Sequence, residues 1–195
     1  MRKIIPILLL AIFVHQSAHA WVDQYGKRHY RIALNLTNPV GLISKGGAAL
    51  EQRSGRNSQL VSYTKYWGVY AGTQYGYELQ HFLIPGYRSR FYGKPREFFL
   101  YVKGFVGDAS YDSKKLAVIG DNSKIFIGPN AYAGVVGGFG KRYNYNHFFI
   151  SWKLGLKYSL LIDNPPTEDK NLYRLFFATG PGSIVDLNFH FGIQL

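Results

Sequence analysis

Strict alternation of apolar and polar residues is the feature that most constrains the fold of this 195-residue chain. From Val185 to Leu195 every second residue is apolar, and the residues between them are polar or glycine. Residues 147–160 repeat the pattern, and residues 97–106 follow it with a more mixed second face. Successive side chains of a β-strand point to opposite faces, so a period of two indicates strands with one apolar face. No stretch has the 3.6-residue period of an amphipathic helix, and the sequence therefore predicts an all-β protein.

Eight segments carry this pattern, and their connections suit a closed barrel. The predicted strands are residues 30–37, 46–54, 58–67, 74–84, 96–108, 130–143, 146–161 and 183–195. Many of them reach the roughly 9–11 residues that a tilted strand needs to cross a bilayer. Tight turns at 54–57 and 143–146 alternate with long connections at 109–129 and 162–182, and the connection 85–95 is an exception. The alternation predicts an eight-stranded antiparallel transmembrane β-barrel of the outer-membrane type.

The first twenty residues have the organisation of a secretory signal peptide. Two basic residues precede an apolar run at 4–14, and Ala18 and Ala20 fit the cleavage rule for small residues. The apolar run is too short for a transmembrane helix, which needs about 20 residues. We therefore expect residues 1–20 to be removed on export and residues 21–195 to form one barrel domain. The chain has no Cys, which excludes disulfide scaffolds and Cys-ligated metals.

Alternation alone leaves two environments open for the barrel. A soluble ligand-binding barrel of the lipocalin kind would turn its apolar face inward, whereas a membrane barrel turns that face to lipid. Trp152 and the other bulky residues of the apolar face would overfill an eight-stranded interior. Charged residues make up only 17% of the chain, against about 25% in soluble proteins. These features favour a barrel in the outer membrane of a Gram-negative bacterium.

In a membrane barrel the polar face of the strands lines the lumen. Unpaired buried charge is unfavourable, so we expect the charged side chains of this face to form a ladder of ion pairs. Eight strands leave no aqueous pore, and the ladder is expected to plug the barrel. The predicted polar network consists of Arg31, Glu51, Arg53, Glu78, Lys103, Lys153, Lys157, Asp186 and His190.

No arrangement of residues predicts catalysis or a cofactor. His147 and Ser151 share one face of a predicted strand, but four residues of strand separate them by about 13 Å. No nucleophile elbow, metalloprotease motif or metal-ligand spacing occurs. The glycine-rich run 134–140 lacks the strand-to-helix context of a nucleotide loop, and its glycines are expected to relieve crowding in a strand. We expect no catalytic residue, no metal and no cofactor, and the chain is not predicted to be an enzyme.

A formal net charge of +12 points to anionic partners. The phosphates of outer-membrane lipid and lipopolysaccharide are the anions available to lysines and arginines at the barrel ends. Nucleic acid is not expected in that compartment. The connections 109–129 and 162–182 are long enough to bind another outer-membrane protein. In the second of them, Leu175, Phe176 and Phe177 are more apolar than solvent exposure favours, so we expect them to contact a partner or lipid.

Five short motifs cover much of the chain after the leader: 33–39, 46–53, 75–82, 98–107 and 186–192. In these motifs the chain resembles small outer-membrane β-barrel proteins of unknown function from Bacteroidetes. Its charged lumen resembles that of the OmpA-type membrane domain. The alternating aromatic last strand is similar to the segment that the barrel-assembly machinery recognises. The resemblance implies an eight-stranded outer-membrane barrel that this machinery inserts, and it implies no reaction.

The sequence therefore predicts an outer-membrane barrel with a plugged polar lumen and a structural or interaction role. One form of that role is an accessory subunit of a larger outer-membrane complex. Two alternatives stay open, a lipid-modifying enzyme similar to lipid A deacylases and a small-ligand-binding or transport component. Altered lipid A on deletion would favour the first alternative, and a ligand bound in the lumen would favour the second.

Overall fold

Eight β-strands make up the part of the chain that the structure, a computed structural model, describes. The described residues are 30–37, 45–54, 56–67, 70–88, 95–112, 126–145, 148–162 and 184–194. The strands are β1 (Tyr30–Thr37), β2 (Lys45–Ser54), β3 (Asn57–Tyr66), β4 (Tyr70–Arg88), β5 (Pro95–Asp112), β6 (Phe126–Tyr145), β7 (Phe148–Leu161) and β8 (Val185–Gln194). Within these ranges there is no helix that could span a membrane.

The sheet closes into a barrel. Each strand pairs antiparallel with the next one in the sequence, and β8 pairs antiparallel with β1 to complete the ring. The closing register runs from Ala33 opposite Gln194 to Thr37 opposite His190. The predicted all-β fold with eight antiparallel strands in a closed barrel is confirmed. We call the end where β1 begins and β8 ends the terminal end, and the other end the far end.

Three strands are longer than the alternation predicts. β4 continues to Arg88 and β5 begins at Pro95, so the predicted connection 85–95 is wrong at both edges. Register shifts after Phe82 and after Ile84 absorb the irregular residues while the two strands stay paired. β5 and β6 likewise extend into the predicted connection 109–129, with another register shift after Ala109. Such bulges interrupt the alternation of side chains while the strands stay hydrogen-bonded. The strands predicted from alternation therefore end before the observed ones do.

Alternation along the strands separates the two surfaces of the barrel wall. In β7 the inward side chains are buried, and they are Phe149, Ser151, Lys153, Gly155 and Lys157. Exposed side chains lie between them on the outward face, and they are Phe148, Ile150, Leu154, Leu156 and Tyr158. The inward face of this strand therefore mixes charge with an aromatic ring, and the outward face is apolar.

Aromatic rings fill the part of the interior that the charged residues leave. The buried cluster includes Phe82, Phe99, Tyr101, Phe105 and Tyr132. Three inward aromatic residues of β5 each face a glycine of β6: Phe99 faces Gly140, Tyr101 faces Gly138 and Phe105 faces Gly134. A Cβ atom built on Gly140 or on Gly134 would come within 2.5 Å of the facing ring. The glycine-rich run of β6 thus makes room for the rings, and the lumen is not filled by charges alone.

Candidate functional site

Two buried arginine–glutamate pairs cross the lumen nearer the terminal end, and we call these four residues the arginine layer. Arg53 donates two hydrogen bonds of 2.8 Å to the carboxylate of Glu97. Arg142 donates to both carboxylate oxygens of Glu51, at 2.8 and 2.9 Å. Bidentate pairs of this kind are among the strongest side-chain hydrogen bonds. Each guanidinium has its own carboxylate, so the layer is formally neutral.

Neutral side chains complete the hydrogen bonding of the two glutamates. Ser58 Oγ donates to Glu51 at 2.7 Å, and Asn35 Nδ2 donates to the same carboxylate at 3.1 Å. Asn144 Nδ2 donates to Glu97 at 2.8 Å. Because a buried carboxylate is stable only when its oxygens are occupied, these contacts support the ionised form of both glutamates.

Aromatic rings cover the faces of the two guanidinium groups. The guanidinium carbon of Arg53 lies 3.8 Å from the ring centre of Phe82. The guanidinium carbon of Arg142 lies 4.2 Å from the ring centre of Phe149 and 5.1 Å from that of Phe82. Arginine presents its edge to carboxylates and its faces to rings, so both kinds of contact form at once. The arginine layer therefore combines paired charges with aromatic packing inside the barrel.

Four lysines point into the lumen towards the far end, beside two carboxylates. We call this group the lysine chamber, and its members are Lys45, Lys103, Lys153, Lys157, Glu78 and Asp186. Lys153 Nζ donates to both oxygens of Glu78 at 2.7 Å. Lys45 Nζ donates to Asp186 Oδ1 at 2.9 Å. All six side chains are buried, so their charges act on one another with little screening by water.

Two tyrosine hydroxyls meet at one glutamine near the far end. Tyr66 donates to Gln74 Oε1 at 2.8 Å, and Tyr132 donates to the same oxygen at 3.3 Å. Both rings are buried. Neutral donors and rings therefore border the charged part of the lumen at this end.

Eight of the nine residues predicted for the polar network have described side chains, and all eight are buried in the barrel. The arginine layer holds Glu51 and Arg53, and the lysine chamber holds Glu78, Lys103, Lys153, Lys157 and Asp186. His190 faces the lumen from β8. Arg31 lies in β1, and its side chain is outside the described part.

Among the residues whose side chains the structure describes, three charged members of the network were not predicted from the sequence. Lys45 lies one residue before the predicted second strand, and Arg142 lies in the glycine-rich strand, where both faces carry small residues. Glu97 lies in the predicted strand 96–108, on its polar face, but is not among the residues predicted for the network. Residues two positions apart in a strand point to the same face, so each of the three could have been assigned to the lumen from its inward-facing neighbour on the same strand.

The barrel register brings one serine and one histidine together. Ser151 of β7 lies opposite His190 of β8, and both side chains are buried. No hydrogen bond joins the two side chains in the described part of the chain, and His147 lies outside it. No group of three or more His, Asp or Glu side chains that could hold a metal ion occurs among the described residues.

The outer surface of the barrel carries a continuous band of exposed apolar side chains, which we call the apolar belt. Each strand contributes to it, and representative members are Leu36, Leu50, Tyr63, Leu79, Val102, Val135, Leu156 and Phe189. Outward charged residues on the described strands lie towards the ends, with Arg96 and Lys141 at the terminal end and Lys65 at the far end. The polarity of the wall is thus the reverse of that in a water-soluble barrel.

Comparison with known proteins finds no matching family model, no matching curated protein and no matching solved structure. The predicted leader 1–20 lies outside the described residues, as do Leu175, Phe176 and Phe177. The expectations about export and about the loop between β7 and β8 therefore stay predictions.

Proposed function

We propose that this chain is an outer-membrane β-barrel protein of a Gram-negative bacterium, with a sealed lumen and a structural or interaction role. The observation that carries the proposal is the reversed polarity of the barrel wall. Outward-facing Val102 and Leu156 are 61% and 70% exposed, whereas inward-facing Glu51 and Lys153 are 1% and 3% exposed. Hydrocarbon favours this arrangement, because it accommodates apolar side chains and disfavours charged ones.

The alternative of a soluble ligand-binding barrel fits the apolar belt poorly. Soluble monomers rarely expose a contiguous apolar patch larger than about 300–600 Å². In this barrel every strand contributes at least one exposed large apolar side chain, so the belt runs around the wall. In water the apolar belt would stay hydrated while the charged side chains were buried in the lumen. Both effects are unfavourable for folding.

Basic and aromatic residues at the terminal end support placement of that end at a membrane interface. The cationic groups of Arg96 and Lys141 lie 5.5 and 5.4 Å from the ring centre of Tyr143. Tyrosine with neighbouring cations is typical of the headgroup level, where a ring meets lipid and a charge meets phosphate. We propose lipid phosphates as the partners of these cations, and lipopolysaccharide as a partner at the far end.

The filled lumen favours an interaction role over transport. Four buried ion pairs and the aromatic cluster occupy the interior of the barrel in the part that the structure describes. A solute would have to break the arginine layer to pass. The proposed role is therefore binding of another outer-membrane protein through the long connections after β5 and β7. An accessory subunit of a larger complex would be one form of this role. Insertion by the barrel-assembly machinery and kinship with the Bacteroidetes proteins belong to the same proposal.

The location can be tested by expression of the full chain in a Gram-negative host. We expect the protein in the outer-membrane fraction, with its N-terminus at Trp21 and faster migration in SDS gels before boiling than after it. Such heat-dependent migration reports a closed barrel that detergent alone does not unfold. The matched control lacks residues 2–20 and should stay inside the cell. Recovery of folded, full-length protein in the soluble periplasmic fraction would contradict the proposal.

The interaction role can be tested by gentle detergent extraction from native membranes followed by mass spectrometry. We expect a stoichiometric partner with the wild-type chain, and its loss when Leu175, Phe176 and Phe177 are all changed to Ser. The control changes Lys114 and Lys115 to Ser in the other long connection and should retain the partner. A lone barrel from the wild-type extraction, with unchanged insertion of the triple variant, would overturn the assigned role of this loop.

A further inference from the structure

Gly104 is an outward-facing glycine whose small size no contact within the barrel wall requires. It lies in the middle of β5, opposite Tyr77 of β4 and Val135 of β6. A Cβ atom built on Gly104 would meet no other atom within 4 Å, whereas one built on Gly134 would come within 2.5 Å of the ring of Phe105. Glycine weakens a strand, and it often marks either an irregular point of the sheet or a site where a ligand approaches the backbone. Around Gly104 the register of β5 with both neighbours is regular, so the second explanation applies.

Gly104 is part of the floor of a groove in the apolar belt. The groove has a volume of about 520 Å³. Its floor is made by β5 and β6, which contribute the short side chains of Val106, Ala133 and Val135 beside Gly104. β4 and β7 supply the two walls, and none of the described residues that line the groove is charged. The groove is therefore an apolar depression that follows the direction of the strands.

The tyrosines of the β4 wall are held on the side away from the floor. The ring centre of Tyr75 lies 5.4 Å from that of Tyr63 in β3. The Tyr77 hydroxyl donates a hydrogen bond of 2.8 Å to Gln59 Oε1, also in β3. Both contacts draw the rings towards β3, so the chain leaves the backbone at Gly104 uncovered. A groove that is already formed needs little rearrangement to accept an occupant.

The width of the groove suits a hydrocarbon chain better than part of a protein. The opposite wall consists of Tyr158 and Leu160 of β7, and both side chains are exposed. Three interstrand spacings, about 14 Å in all, separate the backbones of β4 and β7. The side chains of the walls take up part of that width, and a helix with its side chains is about 10–12 Å across. A helix therefore does not reach the floor, whereas an extended hydrocarbon chain does.

The position of the groove along the barrel selects the source of that chain. On β5 the floor begins with Gly104 and continues with Val106, and the strand then ends at Asp112 at the far end. The long connections after β5 and β7 leave from this same end. Outer-membrane barrels carry their longer loops on the outer side of the membrane. The proposed orientation therefore turns the groove towards the outer leaflet, which contains lipopolysaccharide.

We propose that the groove binds one acyl chain of lipopolysaccharide, laid along β5 and β6 against Gly104. Within a bilayer the hydrophobic effect favours no particular apolar contact, so selective binding depends on close packing. The missing side chain at Gly104 lets the methylene groups of the acyl chain contact the backbone of β5, and each such contact adds dispersion energy. The inference rests on the proposed outer-membrane location, and it specifies where on the wall the proposed lipid partner is held.

The test expresses the full chain in a Gram-negative host whose lipopolysaccharide is truncated to lipid A and a few sugars. The protein is extracted from the outer membrane in a mild nonionic detergent, and native mass spectrometry identifies and counts the lipids it retains. We expect one lipopolysaccharide molecule on the wild-type barrel. Gly104→Leu should lower the lipid-bound fraction at least about fivefold, because the new side chain occupies the floor of the groove.

The matched control is Gly137→Leu. Gly137 is an outward glycine of β6 around which a Cβ atom would also meet no atom within 4 Å, but it does not line the groove. The same leucine at this position should leave the lipid-bound fraction unchanged. If Gly104→Leu does not fold, Gly104→Ala adds a single methyl group and should give a smaller loss in the same direction.

Three results would overturn the proposal. They are a folded wild-type barrel that retains no lipid, one that retains phospholipid in place of lipopolysaccharide, and equal retention by wild type and the folded Gly104 variant. The last would mean that the lipid is held elsewhere on the wall. Recovery in the outer-membrane fraction and heat-dependent migration in SDS gels report the barrel and its location without reference to a bound lipid. Failure of the groove is therefore distinguishable from failure of the membrane proposal.

Discussion

Replacing Arg142 with Met should lower the free energy of unfolding by about 3–5 kcal/mol, the usual cost of breaking a buried ion pair from one side. In the wild-type chain Glu51 is 1% exposed, and without Arg142 its carboxylate keeps only Ser58 and Asn35 as donors. It also removes the guanidinium that lies against the ring of Phe149. Urea unfolding of the refolded barrel in lipid vesicles, followed by tryptophan fluorescence, measures the change.

A double variant separates loss of the charge pair from loss of packing. Changing Glu51 to Leu together with Arg142 to Met removes both charges, and most of the lost stability should return, because no unpaired charge remains. Lys65→Met is the control for removal of a cation and should change stability by no more than about 0.5 kcal/mol. A loss below about 1 kcal/mol for Arg142→Met alone would mean that the arginine layer does not hold the barrel together.

The strands and their closure followed from a local property of the sequence. A strand with one apolar and one polar face must alternate, so the pattern of β7 and β8 could be recognised without knowledge of any partner strand. The ends of β4 and β5 could not, because Pro85 and the register shifts around it disturb the alternation while pairing continues. Local periodicity therefore gave the number of strands more accurately than their ends.

The inward face was also predictable, but the pairing across the lumen was not. Alternation assigns Glu51 and Asp186 to the interior whatever the register of the sheet. Their partners, Arg142 and Lys45, are 91 and 141 residues away in the sequence. Which cation meets which carboxylate depends on the stagger of strands around the closed barrel, and a single sequence carries no direct record of it.

The aromatic part of the core was missed for a related reason. Phe99 and Phe105 lie on the same face of β5 as Glu97 and Lys103. The charged residues of this face led to the prediction of a ladder of ion pairs, and the rings were not considered. Their position depends on the glycines of the neighbouring strand, which leave room for a ring. The match between rings on β5 and glycines on β6 appears only once the two strands are in register. Size complementarity, unlike polarity, is a property of strand pairs.

Replacing Val102 with Arg should lower the free energy of unfolding in lipid vesicles by about 2–4 kcal/mol, the cost of a cation on the lipid face near the bilayer midplane. Val102 lies in the middle of β5, is 61% exposed on the apolar belt, and pairs with Leu79 and Gly137. In water such an exposed position would accept arginine with little change, because the side chain extends into solvent. The size of the loss therefore reports which solvent the wall faces.

Phe148→Arg is the matched control, because Phe148 is also outward-facing and 47% exposed but is the first residue of β7. At the membrane interface an arginine costs only about 0–1 kcal/mol, since its charge reaches water and phosphate. A large loss for Val102→Arg beside a small one for Phe148→Arg is the depth dependence that only a bilayer imposes. Equal losses below about 0.5 kcal/mol at both positions would mean that the belt faces water, and the membrane proposal would then be wrong even though the barrel fold stands.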